Sequence, residues 1–352
     1  MSNLVNIFFL KAVRAALRTR EMLAIFALTA IFGVGMLADM VNGYDLPTPE
    51  EEDGEEAPED TGADASYMPS QAQMSSALDV LTLTDGDDSF EGGDGTDTVV
   101  GGEGNDVLRG GNGVDWLDGE GGNDTVVGGA SGDALSGGTG DDYILGGAGE
   151  DAVTGGAGND TVSLGENNDI YDGVGAVNLG FEDGGDDLVR GGAGNDFLRD
   201  YDGADTLLGG TGNDTIIGTH SDLGDALADV LHGGFGDDIL VGDNGDTMEG
   251  GDGADAFTVD FEFDDSRDVV TITDFDAAQE TLTFSASDFG PDAVMEWEAQ
   301  FDAGTGHVTI LLSGSHTVDG SLVQLDQEPA AVLENMAAED VALLRVTLDL
   351  TS

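Results

Sequence analysis

The most regular feature of the chain is an aspartate that returns every nine residues. In steps of nine from Asp88 to position 214, Asp occupies fourteen of the fifteen positions, and the exception is Asn178. Two residues after each of these positions stands an apolar side chain, except at Gly180. A carboxylate offers hard anionic oxygens, the ligand type that Ca²⁺ and Mg²⁺ take in proteins. So many acidic residues single out no acid and base couple, and their spacing indicates a series of cation sites.

Glycines in front of the aspartates indicate a tight turn. Ten nonapeptides keep the pattern GGxGxDxUx, in which U is apolar; they begin at residues 92, 101, 110, 137, 146, 155, 191, 209, 233 and 250. Gly adopts positive backbone dihedrals at little steric cost, so the first six places suit a sharp turn whose carbonyl oxygens face a cation. The last three places predict a very short strand that points its apolar side chain into a solenoid.

This nonapeptide resembles the RTX, or hemolysin-type, calcium-binding repeat, and the resemblance covers residues 85–258. It implies an all-β fold, a parallel β-roll in which two nonapeptides make one coil. Calcium accepts mixed carboxylate and carbonyl shells, whereas zinc is disfavoured by four His and no Cys. The expected cofactor is therefore Ca²⁺, several ions per chain. The predicted metal ligands are Asp88, Asp97, Asp106, Asp115, Asp124, Asp133, Asp142, Asp151, Asp160, Asp169, Asp187, Asp196, Asp205, Asp214, Asp238, Asp246 and Asp255.

In the RTX family, turns n and n+2 share an ion, so the resemblance implies paired ligands eighteen residues apart. The implied pairs are Asp97 with Asp115, Asp106 with Asp124, Asp115 with Asp133, Asp124 with Asp142, Asp133 with Asp151, Asp142 with Asp160, and Asp196 with Asp214.

Three departures from the repeat predict local irregularity. The nonapeptide from Gly173 to Phe181 contains Asn178 and Gly180, which predicts a weak or empty site. Ser131 replaces the fourth-place Gly of its repeat. The insertion at 218–228 is expected to leave the roll as a loop.

Asparagines often stand just before the aspartate. We expect them to support the tight turn rather than to bind metal. They are Asn105, Asn123, Asn159, Asn195 and Asn213.

Composition agrees with a cation-binding chain. Acidic residues outnumber basic ones 73 to 9, for a formal charge of -64, so a metal-free chain repels itself strongly. Nucleic acid is excluded as a partner, because its recognition depends on Lys and Arg. The chain has no Cys, so neither disulfides nor thiolate metal sites brace the fold.

The N-terminal part predicts a membrane segment and a spacer. Basic residues in 1–21 precede an uncharged run from Met22 to Ala38. This pattern predicts a cytoplasmic N-terminus and a transmembrane or signal-anchor helix at 22–42. A cleaved signal peptide and a buried helix of a soluble domain are the alternatives. Residues 43–84 are acidic and contain proline, and predict a disordered linker.

The C-terminal part, residues 259–352, predicts a small β-rich capping domain. Apolar and polar residues alternate in stretches beginning at 257, 268, 280, 307 and 322. These stretches resemble the module that closes serralysin-type and other type I secreted proteins, which implies a cap on the roll and a part in export. A solenoid needs such a cap, since its last coil exposes an apolar face.

These features predict a non-enzymatic calcium-binding protein of a bacterial cell surface or medium. The sequence contains no H-E-x-x-H, G-x-S-x-G or phosphate-binding glycine loop. In one hypothesis the roll folds on extracellular calcium as a structural or adhesive module, tethered to the membrane by the N-terminal helix. In the alternative, the chain is a type I secreted RTX carrier without an anchor, whose roll serves export and solubility. No motif identifies a protein or glycan partner.

Overall fold

A computed structural model describes residues 79–173, 185–201, 203–219, 227–243, 245–260, 269–285, 294–318 and 321–349. The predicted N-terminus at 1–21 and helix at 22–42 lie outside these residues, as does most of the linker at 43–84. Among the residues that the structure describes, no helix is long and apolar enough to cross a membrane.

The described residues form short strands joined by tight turns. The strands of the repeat region are β1 (Asp79–Thr82), β2 (Ser89–Asp94), β3 (Asp97–Glu103), β4 (Val107–Asn112), β5 (Trp116–Gly121), β6 (Thr125–Ala130), β7 (Ala134–Thr139), β8 (Tyr143–Ala148), β9 (Ala152–Ala157), β10 (Thr161–Glu166), β11 (Ile170–Asp172), β12 (Leu188–Ala193), β13 (Phe197–Asp200), β14 (Thr206–Thr211), β15 (Thr215–Gly218), β16 (Val230–Phe235), β17 (Ile239–Gly242), β18 (Thr247–Asp252) and β19 (Ala256–Asp260). Further strands are β20 (Val270–Ile272), β21 (Thr281–Ser285), β22 (Val294–Asp302), β23 (His307–Val318), β24 (Ser321–Leu333) and β25 (Val346–Asp349), with a 3₁₀ helix at Asp340–Leu343.

Successive strands alternate between two sheets. The odd-numbered strands from β1 to β21, followed by β25, make one sheet; the even-numbered strands from β2 to β20, followed by β24, β23 and β22, make the other. Throughout the repeats, each strand pairs in parallel with the strand two further on, so that Leu108 lies beside Val126. Two nonapeptides therefore complete one coil. The predicted all-β parallel β-roll is confirmed for the described residues.

Within the repeats, the core consists mainly of the apolar side chains from the eighth place of each nonapeptide. Each is buried, because successive strand residues point to opposite faces and this one faces the other sheet. The set comprises Phe90, Val99, Leu108, Leu117, Val126, Leu135, Ile144, Val153, Val162, Tyr171, Val189, Leu198, Leu207, Ile216, Leu231, Leu240, Met248 and Phe257.

Within the repeats, the stacking step lengthens at two places and shortens at a third, where Leu231 pairs with Met248, a step of 17. Val162 pairs with Val189, a step of 27 rather than 18, so nine additional residues separate β11 from β12 along the chain. Leu207 pairs with Leu231, a step of 24, so six additional residues separate β15 from β16. The first place falls in the departing nonapeptide that contains Asn178, and the second in the insertion at 218–228. Asn178 itself and residues 220–226 lie outside the described residues.

The roll begins before the predicted boundary. The linker was expected to run through residue 84, yet β1 pairs with β3, with Leu81 beside Val99. The physical reason is that Asp79, Val80 and Leu81 repeat the D-x-U half of the motif without its glycines. Their backbone therefore joins the edge of the odd-numbered sheet.

Beyond the repeats, both sheets continue. β19 pairs in parallel with β21 and β21 with β25, while β18 pairs with β20 and β20 with β24. Strands β22, β23 and β24 then form an antiparallel meander at the end of the even-numbered sheet. The sequence indicated strands at β19, β20, β21, β23 and β24; β22 and β25 were not predicted.

Candidate metal centre

The predicted aspartates form two ladders, one along each turn edge of the roll. Each aspartate immediately precedes a strand or begins one, because the sixth place ends the turn. The first ladder precedes even-numbered strands and consists of Asp88, Asp106, Asp124, Asp142, Asp160, Asp187, Asp205, Asp229 and Asp246. The second consists of Asp97, Asp115, Asp133, Asp151, Asp169, Asp196, Asp214, Asp238 and Asp255.

We call each aspartate of a ladder a rung. Along both ladders, one carboxylate oxygen accepts a backbone hydrogen bond. The backbone N–H of an aspartate donates to Oδ1 of the aspartate in the next coil, as from Asp124 to Asp142 at 2.7 Å. The bonds of both ladders measure 2.7–2.9 Å. Each pair that the eighteen-residue spacing implied is joined in this way. Where the register changes, the ladder joins Asp160 to Asp187 instead.

The other oxygen, Oδ2, is buried and has no hydrogen-bond partner along most of both ladders. This holds for Asp106, Asp115, Asp124, Asp133, Asp142, Asp151, Asp160, Asp169, Asp196, Asp205, Asp214, Asp238 and Asp255. A buried charged group without a partner is strongly destabilising, and buried charges in proteins are paired or coordinate metals. The repeated orphan oxygen therefore fits a divalent cation at each turn.

The leading glycine of each repeat brings a second kind of oxygen to the same place. A Cβ on Gly137 would lie 2.6 Å from the carbonyl oxygen of Gly155 and would collide with the carboxylate of Asp142. The carboxylate and that carbonyl thus border one small space. Gly138 and Gly140 have φ of 112° and 124°, which turns the chain sharply there. A mixture of carboxylate and carbonyl oxygens suits calcium.

Burial raises the pKa of most of the ladder aspartates. Desolvation is the largest cause, the backbone N–H bond opposes it, and neighbouring aspartates add to it. The pKa rises to about 6 for Asp214 and Asp238, to about 7 for Asp133, Asp142 and Asp169, and to about 8 for Asp160 and Asp246. Without a cation, these carboxyl groups therefore bind protons near neutral pH.

The sequence prediction missed several acidic residues in or beside the ladders. Asp229 is a rung that accepts the N–H of Asp205 at 2.8 Å. Its signal was the D-x-U triplet Asp229-Val230-Leu231, but Asp225 and Leu227 replace the second-place and fourth-place glycines before it. Asp243 donates its N–H to Oδ2 of Asp246 at 2.6 Å. Glu280 is buried and stands one residue before β21, the place that Asp255 holds before β19.

The asparagines before the aspartates form an outer set of bonds. Oδ1 of Asn105 accepts the N–H of Asn123 at 2.8 Å, and Oδ1 of Asn195 accepts the N–H of Asn213 at 2.7 Å. Asn159 and Asn213 also accept from the next coil. These bonds run opposite in direction to those of the aspartate ladders. They link the exposed side of adjacent turns, as a supporting role requires.

Comparison with known protein families matches the RTX calcium-binding nonapeptide repeat (4 copies) at residues 76–108, 100–135, 127–162, 136–171, 183–216 and 223–256. These segments are similar to RTX repeats. These repeats are a structural calcium-binding module, so Ca²⁺ is the cofactor of the roll, and the alignment of so many aspartates agrees with several ions. A search of curated proteins found no match.

Proposed function

We propose that this chain is a non-enzymatic calcium-binding RTX protein, secreted or at the cell surface of a bacterium, whose roll folds on extracellular calcium. The observation that supports it is the row of buried Oδ2 atoms without hydrogen-bond partners. Most of the aspartates in the ladders use one oxygen for a backbone hydrogen bond and leave the other for a cation. The recurring buried polar groups are thus carboxylates arranged along an edge rather than a nucleophile beside a base.

The aspartates of both ladders hold the ions in this proposal, together with carbonyl oxygens of the leading glycines. Asp142, for example, stands between Asp124 and Asp160 and is joined to each by a backbone bond. It therefore lends its free oxygen to an ion between neighbouring coils. The ion supplies the positive charge that allows these buried carboxylates to stay ionised.

Calcium binding and folding are coupled in this proposal. The turn sites exist only when coils stack, so the binding free energy adds to the free energy of unfolding. Extracellular calcium modules commonly bind at about 10⁻⁴ to 10⁻³ M. The formal charge of -64 opposes folding where free calcium is scarce. The roll then remains unfolded inside the cell and folds outside it.

Circular dichroism of the full chain tests the coupling. We expect a gain of β-structure on adding Ca²⁺ in the millimolar range, and its loss on adding a chelator. Mg²⁺ at the same concentration is the control, because it demands a stricter octahedral shell and keeps its waters. β-structure that is the same in chelator and in calcium would contradict the proposal.

The location is proposed from the sequence. The apolar run within 22–42, after a basic segment, tethers the roll to the membrane, and residues 43–78 act as a spacer. Cell fractionation and sequencing of the mature N-terminus test this. Retention of residues 1–40 in membranes supports the tether, whereas intact chain free in the medium supports the type I carrier.

The molecular role is structural or adhesive, with strands after the repeats capping the roll. Its ligand is a protein or glycan surface of unassigned identity. A glycan array probed with the full chain in calcium tests adhesion, and the same array in chelator is the control. Binding that survives the chelator would show that the folded roll is not the adhesive element.

A further inference from the structure

One acidic residue stands where the repeat requires glycine. Asp200 begins the nonapeptide DYDGADTLL and takes the place of the leading Gly. It ends β13 beside Gly218 of β15, and on its other side the N–H of Gly173 bonds to the carbonyl of Arg199. A Cβ on Gly173 would lie 2.5 Å from the Asp200 carboxylate. Gly173 thus leaves the space that this side chain fills.

The Asp200 side chain lies inside the roll. Its relative exposure is 1 %, and it lies in a cluster with Asp187 and Asp205 in which one ligand oxygen from each residue falls within 4.8 Å of the others. The hydroxyl of Tyr171, a core residue, donates to Oδ2 of Asp187 at 2.8 Å or of Asp200 at 3.1 Å. This hydroxyl orients two of the three carboxylates toward each other.

A buried oxygen in this cluster lacks a partner. Oδ1 of Asp205 accepts the N–H of Asp187, but its Oδ2 is buried without a hydrogen bond, and the residue is 1 % exposed. Arg199, the nearest basic residue in the sequence, does not pair with this oxygen. Arg199 precedes Asp200 on the strand, so it faces the opposite side, where it pairs with Asp172 at 2.5 Å.

We propose that Asp187, Asp200 and Asp205 bind a calcium ion inside the roll, in addition to the ions at the turns. Three carboxylates in one low-dielectric space repel each other unless a cation lies among them. The donors are hard carboxylate oxygens, which favours Ca²⁺ over Zn²⁺, and calcium tolerates a more flexible ligand geometry than Mg²⁺. The site rests on the proposed function in that Asp187 and Asp205 also belong to the first ladder, whereas Asp200 belongs to neither ladder.

A crystal structure of the full chain grown in CaCl₂ tests the site without a variant. We expect an anomalous peak at about 2.3–2.6 Å from carboxylate oxygens of all three residues. Peaks at the turns with none in this cluster would overturn the interior site and leave the ladder proposal standing. A crystal with calcium at neither place would overturn both.

Calcium stoichiometry of variants gives the second test. Asp200→Gly restores the residue type of the repeat, so the fold is expected to persist, and we expect one bound ion fewer than in the unmodified chain by equilibrium dialysis. Asp252→Gly is the matched control, since Asp252 is exposed and the substitution removes the same charge. Equal stoichiometry for Asp200→Gly and the unmodified chain would overturn the site. Should Asp200→Gly not fold, Asp200→Asn keeps the side-chain shape while removing the charge, and the same loss is expected.

Discussion

At the scale of single residues, each ladder aspartate meets two opposing requirements. Its Oδ1 stabilises the stacking of coils whether or not metal is present, because it accepts a backbone N–H from the coil before. Its buried Oδ2 destabilises the stacking when ionised and unpaired. The same residue type is therefore favourable with calcium and unfavourable without it, and substitutions separate the two effects.

Asp142→Asn is expected to be unfavourable for the calcium-loaded roll and neutral or favourable for the calcium-free roll. With calcium, it removes an anionic ligand, and we expect at least tenfold weaker binding at the adjoining sites, about 1.4 kcal/mol or more. Without calcium, the amide keeps the bond from Asp124 and removes a buried charge, so the free energy of unfolding is unchanged or higher. Calcium titration and urea unfolding in chelator measure the two effects.

Asp141→Asn is the matched control, because it makes the same substitution at the neighbouring exposed residue. Its Oδ1 accepts the N–H of Asn159 at 3.0 Å, a bond that an amide oxygen retains. Calcium affinity should stay within about twofold of the unmodified chain, since surface changes rarely exceed ~0.5 kcal/mol. Equal losses for both variants would contradict a specific role for Asp142.

Gly137→Ala is expected to impair calcium binding and stacking together. The added Cβ meets the Asp142 carboxylate and lies 2.6 Å from the Gly155 carbonyl, so both oxygens must move. We expect the calcium-loaded roll to lose about 1–3 kcal/mol, as overpacked sites do. Urea unfolding at fixed calcium measures it.

Gly86→Ala is the control for that change, since a Cβ on Gly86 meets nothing within 4 Å. We expect no more than ~0.5 kcal/mol. A comparable loss in both variants would contradict a specific effect of Gly137→Ala on the calcium turn.

At the scale of elements, most strands of the repeat region contribute one eighth-place apolar side chain to the core. Leu117→Ala should cost the calcium-loaded roll about 2–5 kcal/mol, because Leu117 is fully buried between the sheets and leaves a cavity. Thermal unfolding in saturating calcium measures the loss. Val114→Ala, at a residue 47 % exposed in the preceding turn, should change little. A small effect of Leu117→Ala would contradict a core made of single side chains.

At the scale of the whole molecule, pH and calcium compete for the same oxygens. Burial raises the pKa of Asp133, Asp142 and Asp169 to about 7 and that of Asp160 to about 8, above the value of about 3.9 in an unfolded chain. The metal-free roll binds protons more tightly than the unfolded chain. Its stabilisation by protons is complete below about pH 4 and is lost as pH rises through 7 to 8.

Two measurements check this competition between protons and calcium. Without calcium, β-structure by circular dichroism is expected to increase from pH 8 to pH 5, and the smaller negative charge at low pH acts in the same direction. Calcium affinity is expected to be lower at pH 6 than at pH 8, because the ion displaces protons from the carboxylates. Identical affinities at the two pH values would contradict the raised pKa values.

The sequence by itself determined the local unit of this protein. The positions of Asp142 and Ile144 could be assigned to turn and core from the nine-residue period, because glycine, aspartate and one apolar residue each serve a requirement met within a single repeat. The alternation of two sheets and the neighbours eighteen residues apart followed from the family resemblance.

Only the tertiary structure decided which repeats stack across the irregular places. It paired Asp160 with Asp187 and Asp205 with Asp229, carried Asp200 into the core, joined β1 to the roll and extended both sheets through the C-terminal strands. The physical reason is that strand pairing in a parallel solenoid depends on how many residues each turn adds between two stacked strands. That number is set by the packing of whole coils and is not contained in any nine-residue pattern.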